Sequence, residues 1–177
     1  MLFTGSVMTE YSGQEFAAAS RLGEILKTKG WLLATAESCT GGLLAGAITS
    51  VAGSSEWFDR GFVTYTNESK IEALGVNEQA LQRFGAVSEQ VAIEMAEGAL
   101  NQAVTATCAI STTGIAGPTG ATEGKPVGMV CFAIAFRKKE GVVTLPFIRH
   151  FTGDRTQVRR QSVLFALTTA SKILEEN

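Results

Sequence analysis

The sequence predicts a single three-layer α/β/α domain built on a mixed, partly parallel sheet. Two observations carry that expectation: segments with helical spacing of apolar residues alternate with short apolar runs of strand length, and the last two such runs follow each other across a polar turn. Alternation favours parallel strands joined by helical crossovers, whereas consecutive strands joined by a turn are antiparallel, so the sheet should contain both. With 177 residues, 45% of them hydrophobic, the chain can build one sizeable core. The domain is expected over 14–177, after a frayed segment at 1–13 that is small, polar and patternless.

From Gln14 onward, Ala18, Leu22, Ile25 and Leu26 recur at helical spacing, and Gly30 supplies a C-terminal stop. Trp31 to Ala36 reads as a buried strand, Gly41 to Val51 as a small-residue helix and Gly61 to Thr66 as a second strand. Glu68 to Leu74 and Glu78 to Phe84 read as short helices. Ser88 is placed to cap a longer one with an apolar stripe of Val91, Ala92, Met95, Ala96, Ala99 and Ala103. Ala106 to Ser111 returns to strand character before a Gly/Thr/Pro loop from Thr112 to Gly124. Val127 to Phe136 and Val142 to His150 are the consecutive strands, and Gly153 introduces a closing helix from Asp154 to Leu174.

Fifteen basic against 17 acidic residues, a formal charge of −2, provide no global field toward nucleic acid or an anionic membrane. An anionic ligand has to be held by a local cluster. Cys39, Cys108 and Cys131 are odd in number, widely spaced and free of any C-x-x-C pair, which fits a reduced, cytoplasmic protein. The longest apolar run, Met129 to Phe136, is too short to span a bilayer. A homo-oligomer is compatible with the Ala-rich helices.

Two loops leave strands for the edge where α/β sheets bind ligands, 36–42 and 112–124. The first, "TAESCTGG" at 35–42, combines Glu37, Ser38, Cys39 and Thr40 with Gly41 and Gly42, which open the next helix. Unpaired N–H groups there would suit an oxyanion or a phosphate. Ser38 or Thr40 as a helix cap is the plain reading, Ser38 or Cys39 as a nucleophile the functional one. His150 is the single histidine and lies at a strand end, where a structural role is the expectation, so the base for a nucleophilic serine has to come from elsewhere. A lysine with a lowered pKa is the alternative, and Lys70 in "GFVTYTNESK" is the preferred candidate, with Tyr65 beside it.

The loop "STTGIAGPTGATEGKPVG" lacks G-x-G-x-x-G, and Pro126 stands where a P-loop needs Ser or Thr, so neither the Rossmann nor the P-loop motif is present. No spacing of His, Cys, Asp or Glu points to a metal, and no cofactor is expected. In "GDRTQVRRQ", Arg155 and Arg159 are four apart on one helix face, a spacing suited to a phosphate or a carboxylate. Arg60, just before the second strand, is a similar case.

The motifs "AESCTGG" at 36–42, "VAGSSEWFDRGFVTYTNESK" at 51–70, "GAVSE" at 85–89, "TGIAGP" at 113–118, "KPVG" at 125–128 and "GDRTQVRRQ" at 153–161 follow one another in order. In these the chain resembles the C-terminal domain of the competence-damage-inducible protein CinA, a family that includes stand-alone nicotinamide-nucleotide amidases. The resemblance implies metal-free hydrolysis of the carboxamide of nicotinamide mononucleotide to nicotinate mononucleotide and ammonia, a step of pyridine-nucleotide recycling. It further implies Ser38 as nucleophile, Lys70 as its base and Tyr65 as a proton relay. Thr113 and the amides around Gly41, Gly42 and Gly114 would serve the oxyanion. Arg60 and Arg155 are the expected phosphate contacts, with Glu37, Cys39, Thr40 and Gly117 also at the substrate. The larger N-terminal domain of two-domain relatives, associated with nucleotide pyrophosphatase activity, does not fit in this length. A non-catalytic nucleotide-binding or competence-related module, and a Ser-Lys amidase for another small amide, are the alternatives that use the same pocket.

Overall fold

The structure, a computed structural model, describes residues 13–177. The segment expected to fray lies outside these residues except for Gly13, which already opens the first helix. In chain order the elements are α1 (Gly13–Lys29), β1 (Leu33–Glu37), α2 (Leu43–Thr49), β2 (Phe58–Val63), α3 (Asn67–Leu74), α4 (Glu78–Phe84), α5 (Glu89–Gln102), β3 (Cys108–Gly114), β4 (Met129–Lys138), β5 (Gly141–His150) and α6 (Arg155–Glu176). The sheet is five-stranded with order β2-β1-β3-β4-β5. β1 runs parallel to both β2 and β3, while β4 and β5 form an antiparallel continuation. The mixed three-layer architecture read from the sequence is the one observed.

Alternation along the strands sends bulky side chains to one face and small ones to the other. Leu33, Ile110, Val130, Phe132, Ile134 and Phe136 pack against Leu22 and Leu26 of α1, Leu44 and Ile48 of α2, and Val163 and Leu167 of α6. On the opposite face Ala34, Ala36, Ala109, Ala133 and Ala135 meet Val91, Met95, Ala96 and Ala99 of α5, together with Leu74 and Leu81. These small residues let the α5 backbone approach closely. An added Cβ on Gly98 would lie 2.1 Å from the carbonyl oxygen of Leu74, so α5 and α3 meet where only glycine fits.

Most boundaries differ from the expectation by one or two residues, and the two largest differences, at β2 and β3, have physical reasons. β2 spans Phe58–Val63 rather than Gly61–Thr66, because it is an edge strand whose Arg60 and Gly61 face solvent and carry little apolar pattern. β3 continues through Thr112 and Thr113 to Gly114, so these residues belong to the strand and not to the loop. Hydroxyl residues are accommodated in this buried strand by hydrogen bonding: Ser111 Oγ donates to the Ala92 carbonyl at 2.6 Å and accepts from the Ala133 amide at 3.1 Å.

The topology places a crevice at the carboxyl ends of β1 and β2. From β1 the chain leaves to α2 on one face, and from β2 it leaves to α3 on the other, the arrangement that opens a ligand site in α/β sheets. Glu37 is level with Val63 on β2 and Thr112 on β3, so the segments that follow all three strands converge there.

Candidate active site

Ser38 is the first residue beyond β1, held by a hydrogen bond from its amide to the Thr112 carbonyl at 2.9 Å. Lys70 enters from α3, whose start is fixed by a capping box between Thr66 and Ser69. Its side chain is 1% exposed, and its Nζ donates to Ser38 Oγ at 3.0 Å and to the Thr64 carbonyl at 2.7 Å. Burial pushes the pKa of this amine below its ordinary 10.5, with the neighbouring Cys39 thiol acting weakly in the opposite direction. A buried lysine depressed by desolvation and touching a hydroxyl can accept that hydroxyl's proton.

These two residues share a cavity of about 220 Å³ with Cys39, Tyr65, Thr113 and Gly114, walled by Ala86, Val87 and Ala116 and reached by Arg155. A wider groove of about 470 Å³ beside α1 and α6 contains Glu15 and Arg160, which form an ion pair at 2.8 Å, and no nucleophile-base pair. Ser38 and Lys70, the candidate nucleophile and base, line the smaller cavity.

Cys39 lines the cavity, yet burial, together with the carboxylate of Glu37, raises its thiol to about 12 against the pull of its own backbone amide, Arg159 and Lys70. A thiol held this high remains protonated at neutral pH and is a poor nucleophile. Tyr65 is exposed, and its hydroxyl accepts from Arg155 Nη2 at 2.8 Å; Arg155 Nη1 also donates to the Gly117 carbonyl at 2.9 Å. This arginine therefore joins the segment after β2 to the loop after β3 at the cavity mouth.

Several sequence expectations need correction. Glu37 does not face the cavity: its carboxylate is fully buried and accepts from Thr40 Oγ1 at 2.7 Å, from the Gly42 and Leu44 amides at 3.0 Å, and from the Ala45 amide at 2.8 Å. It serves as the internal anion at the start of α2, because those N–H groups have no intrahelical acceptor. Gly41 and Gly42 consequently do not offer free amides; the Gly41 amide donates to the Ser38 carbonyl at 3.0 Å. Both glycines are needed for their positive φ, 58° and 94°. Thr40 is fully buried, its hydroxyl also hydrogen-bonded to Thr112 Oγ1 at 2.7 Å. The Thr113 hydroxyl donates to the Ala86 carbonyl at 2.8 Å, so its proton anchors the cavity wall and is not free for an oxyanion. Arg60 is exposed in mid-strand, level with Ala34 and paired with Asp59, away from the cavity.

Sequence reading missed two features. Ala86 and Val87, in the quoted "GAVSE", form a cavity wall that no chemistry of their own announces. Arg159 does not join Arg155 at the mouth; its Nε and Nη2 donate to the Cys39 and Thr40 carbonyls at 3.1 and 2.9 Å. The helical spacing placed both arginines on one face, but only the fold shows that Arg155 reaches Tyr65 and Gly117 while Arg159 reaches the turn after Ser38.

Residues 15–174 match the family model described as "CinA C-terminal domain". The chain belongs to this family. Among curated CinA-domain relatives, it is 54% identical over 156 residues to "Nicotinamide-nucleotide amidohydrolase PncC" of Enterobacter agglomerans, covering 88% of this chain and 93% of that protein. It is 52% identical over 151 residues to the protein of the same name from Escherichia coli strain K12, covering 85% and 89%. Among solved CinA structures, the competence/damage inducible protein CihA from Agrobacterium tumefaciens superposes with a TM-score of 0.85 at 42% identity, covering 96% of this chain and 100% of that one.

Proposed function

We propose that this CinA-domain protein is a nicotinamide-nucleotide amidohydrolase that uses Ser38 and Lys70 as a nucleophile-base pair. The hydrogen bond between Lys70 Nζ and Ser38 Oγ at 3.0 Å carries the reading, because it brings the one buried lysine of the described residues onto a serine that lines a cavity. The nicotinamide-nucleotide amidohydrolases to which the chain is similar supply the substrate class.

Neutral Lys70 takes the Ser38 proton as Oγ attacks the carboxamide carbon, and the carbonyl π pair moves to oxygen. Collapse of this tetrahedral species re-forms the carbonyl and breaks the C–N bond. The departing nitrogen takes a proton from the lysine ammonium, directly or through Tyr65, and leaves as ammonia. Lys70, neutral again, then activates a water that attacks the acyl ester, releasing the nucleotide carboxylate and restoring the serine.

The cavity is smaller than the roughly 300 Å³ at which sites for drug-sized ligands begin, and so suits the pyridine ring with its amide. The ribose phosphate then extends past the mouth toward Arg155, whose guanidinium has donors beyond the two in use. The chemistry requires no metal, and among the described residues no group of His, Cys, Asp and Glu gathers that could hold one. No helix among them is long and apolar enough to cross a membrane. Ammonia release from nicotinamide mononucleotide, nicotinamide and simple amides, with and without a chelator, tests substrate class and metal independence together. Selective turnover of the nucleotide, unaffected by chelation, is the expected result.

A further inference from the structure

Thr113 stands beside Ser38 across the sheet. The β1–β3 register pairs Glu37 with Thr112, and the Ser38 amide carries the ladder one step further by donating to the Thr112 carbonyl at 2.9 Å, which brings Ser38 level with Thr113. Neighbouring strands lie about 4.8 Å apart, and residues level with each other send their side chains to the same face. Alternation fixes that face. Ala36 precedes Ser38 by two positions, Ala109 and Ser111 precede Thr113 by four and two, and these three residues meet α5. The Ser38 and Thr113 side chains therefore stand next to each other on the face where α3 supplies Lys70, and all three residues line the cavity.

The proton of the Thr113 hydroxyl is already placed. Its partner, the Ala86 carbonyl at 2.8 Å, is an acceptor only, so Thr113 is the donor in that bond. A hydroxyl has one proton and two lone pairs, and Thr113 is left with lone pairs alone for a second partner. The residue is 1% exposed and held within β3, which keeps this orientation. Beside the nucleophile the cavity thus offers an acceptor, and a substrate group placed there has to be a donor.

We propose that Thr113 is a specificity-determining residue whose Oγ1 accepts an N–H of the substrate carboxamide and so separates amide from acid. The inference rests on the Ser38 amidase reading and deepens it. A primary carboxamide has two donors on nitrogen and an acceptor oxygen, so its nitrogen side suits Thr113 and its oxygen is turned away. As Ser38 Oγ adds to the carbon and the π pair moves to oxygen, the nitrogen lone pair, delocalised in the amide, becomes free. One N–H stays on Thr113, and the lone pair takes the proton of the Lys70 ammonium before the C–N bond breaks. The product carboxylate has two acceptor oxygens and no donor. Whichever oxygen takes the nitrogen's place faces the Thr113 lone pairs, so the acid is repelled from the position its amide occupied.

The test compares nicotinamide mononucleotide with the methyl ester of nicotinate mononucleotide, which has OCH₃ in place of NH₂ and is hydrolysed to the same acid with methanol. The ester has no N–H for Thr113. Thr113→Val keeps the shape and loses the acceptor; it should lower the amide-to-ester ratio of kcat/KM about tenfold, the scale of one hydrogen bond. Thr113→Ala should show the same fall, and Thr113→Ser should restore the ratio. Inhibition by the acid should tighten in Thr113→Val relative to the KM for the amide. Thr113→Val also removes the bond to Ala86, but Lys125 Nζ holds the same segment through the Phe84 carbonyl, and a shifted wall would act on both substrates alike. An unchanged ratio in Thr113→Val and Thr113→Ala overturns the acceptor role and leaves the amidase reading in place. Inhibition by the acid that does not tighten overturns the rejection of product. Amide hydrolysis that persists in Ser38→Ala removes the nucleophile and this inference with it.

Discussion

Lys70 Nζ lies 3.0 Å from Ser38 Oγ although 32 positions separate the two residues, because β1 and β2 are parallel neighbours whose chain segments leave on opposite faces of the sheet. The amine is buried, depressed below its ordinary 10.5 mainly by desolvation, and held by a second bond to the Thr64 carbonyl.

With Lys70 acting as the neutral base proposed above, kcat/KM should rise with pH through the depressed pKa and level off below 10.5. Lys70→Arg, whose guanidinium stays charged, should lose about 10²–10⁴-fold in kcat with little change in KM. The same shift acts on stability. Between the depressed pKa and 10.5 the unfolded chain binds more protons at this position than the folded one, so stability rises with pH across that window. Lys70→Met should flatten that rise, as read by urea unfolding at several pH values.

Glu37→Gln should destabilise the fold by about 1.5–3 kcal/mol, since one carboxylate oxygen becomes an NH₂ group facing backbone N–H donors. Chemical denaturation measures the loss. Activity should fall with it even though Glu37 does not itself line the cavity, because the Ser38 turn is built on its bonds to Thr40 and Gly42.

Arg155 and Arg60 are expected to separate cleanly. Arg155→Ala should raise KM for the nucleotide about tenfold or more, the cost of a charge-assisted phosphate contact, and should have little effect on any residual turnover of free nicotinamide. Arg60→Ala should leave both unchanged, given its exposed position beside Asp59. Steady-state kinetics on the two substrates checks the pair.

Gly98→Ala opposes two effects. Alanine is favoured over glycine in a helix by about 1 kcal/mol, but its Cβ would meet the Leu74 carbonyl oxygen at 2.1 Å, a backbone contact that cannot rotate aside. The steric effect should win, with a fall in the thermal unfolding midpoint; a rise would contradict the close approach of α3 and α5.

Periodicity made the strongly patterned elements legible. The Val91, Met95 and Ala99 stripe of α5 and the apolar run of β4 read directly as structure because burial dictates residue type there. β2 was displaced by three residues because an edge strand with Arg60 and Gly61 facing solvent has little such pattern. In the site, the residue types of Ser38 and Lys70 singled them out, whereas their contact depends on strand order, which a linear pattern does not encode. Glu37 had a readable signal: a carboxylate just ahead of a helix start is suited to the N–H groups there. Arg159 had none, because its role is to grip backbone carbonyls of a turn 120 positions away.

The most direct test of the serine amidase account is rapid acid quench of the chain with nicotinamide mononucleotide, followed by intact mass and peptide mapping, alongside ammonia release by Ser38→Ala and Cys39→Ala. The account predicts a transient adduct on Ser38 equal in mass to the substrate less ammonia. Turnover should be lost in Ser38→Ala and kept within a few-fold in Cys39→Ala, where burial has already raised the thiol to about 12. An adduct on Cys39, or ammonia release that persists in folded Ser38→Ala, would contradict it.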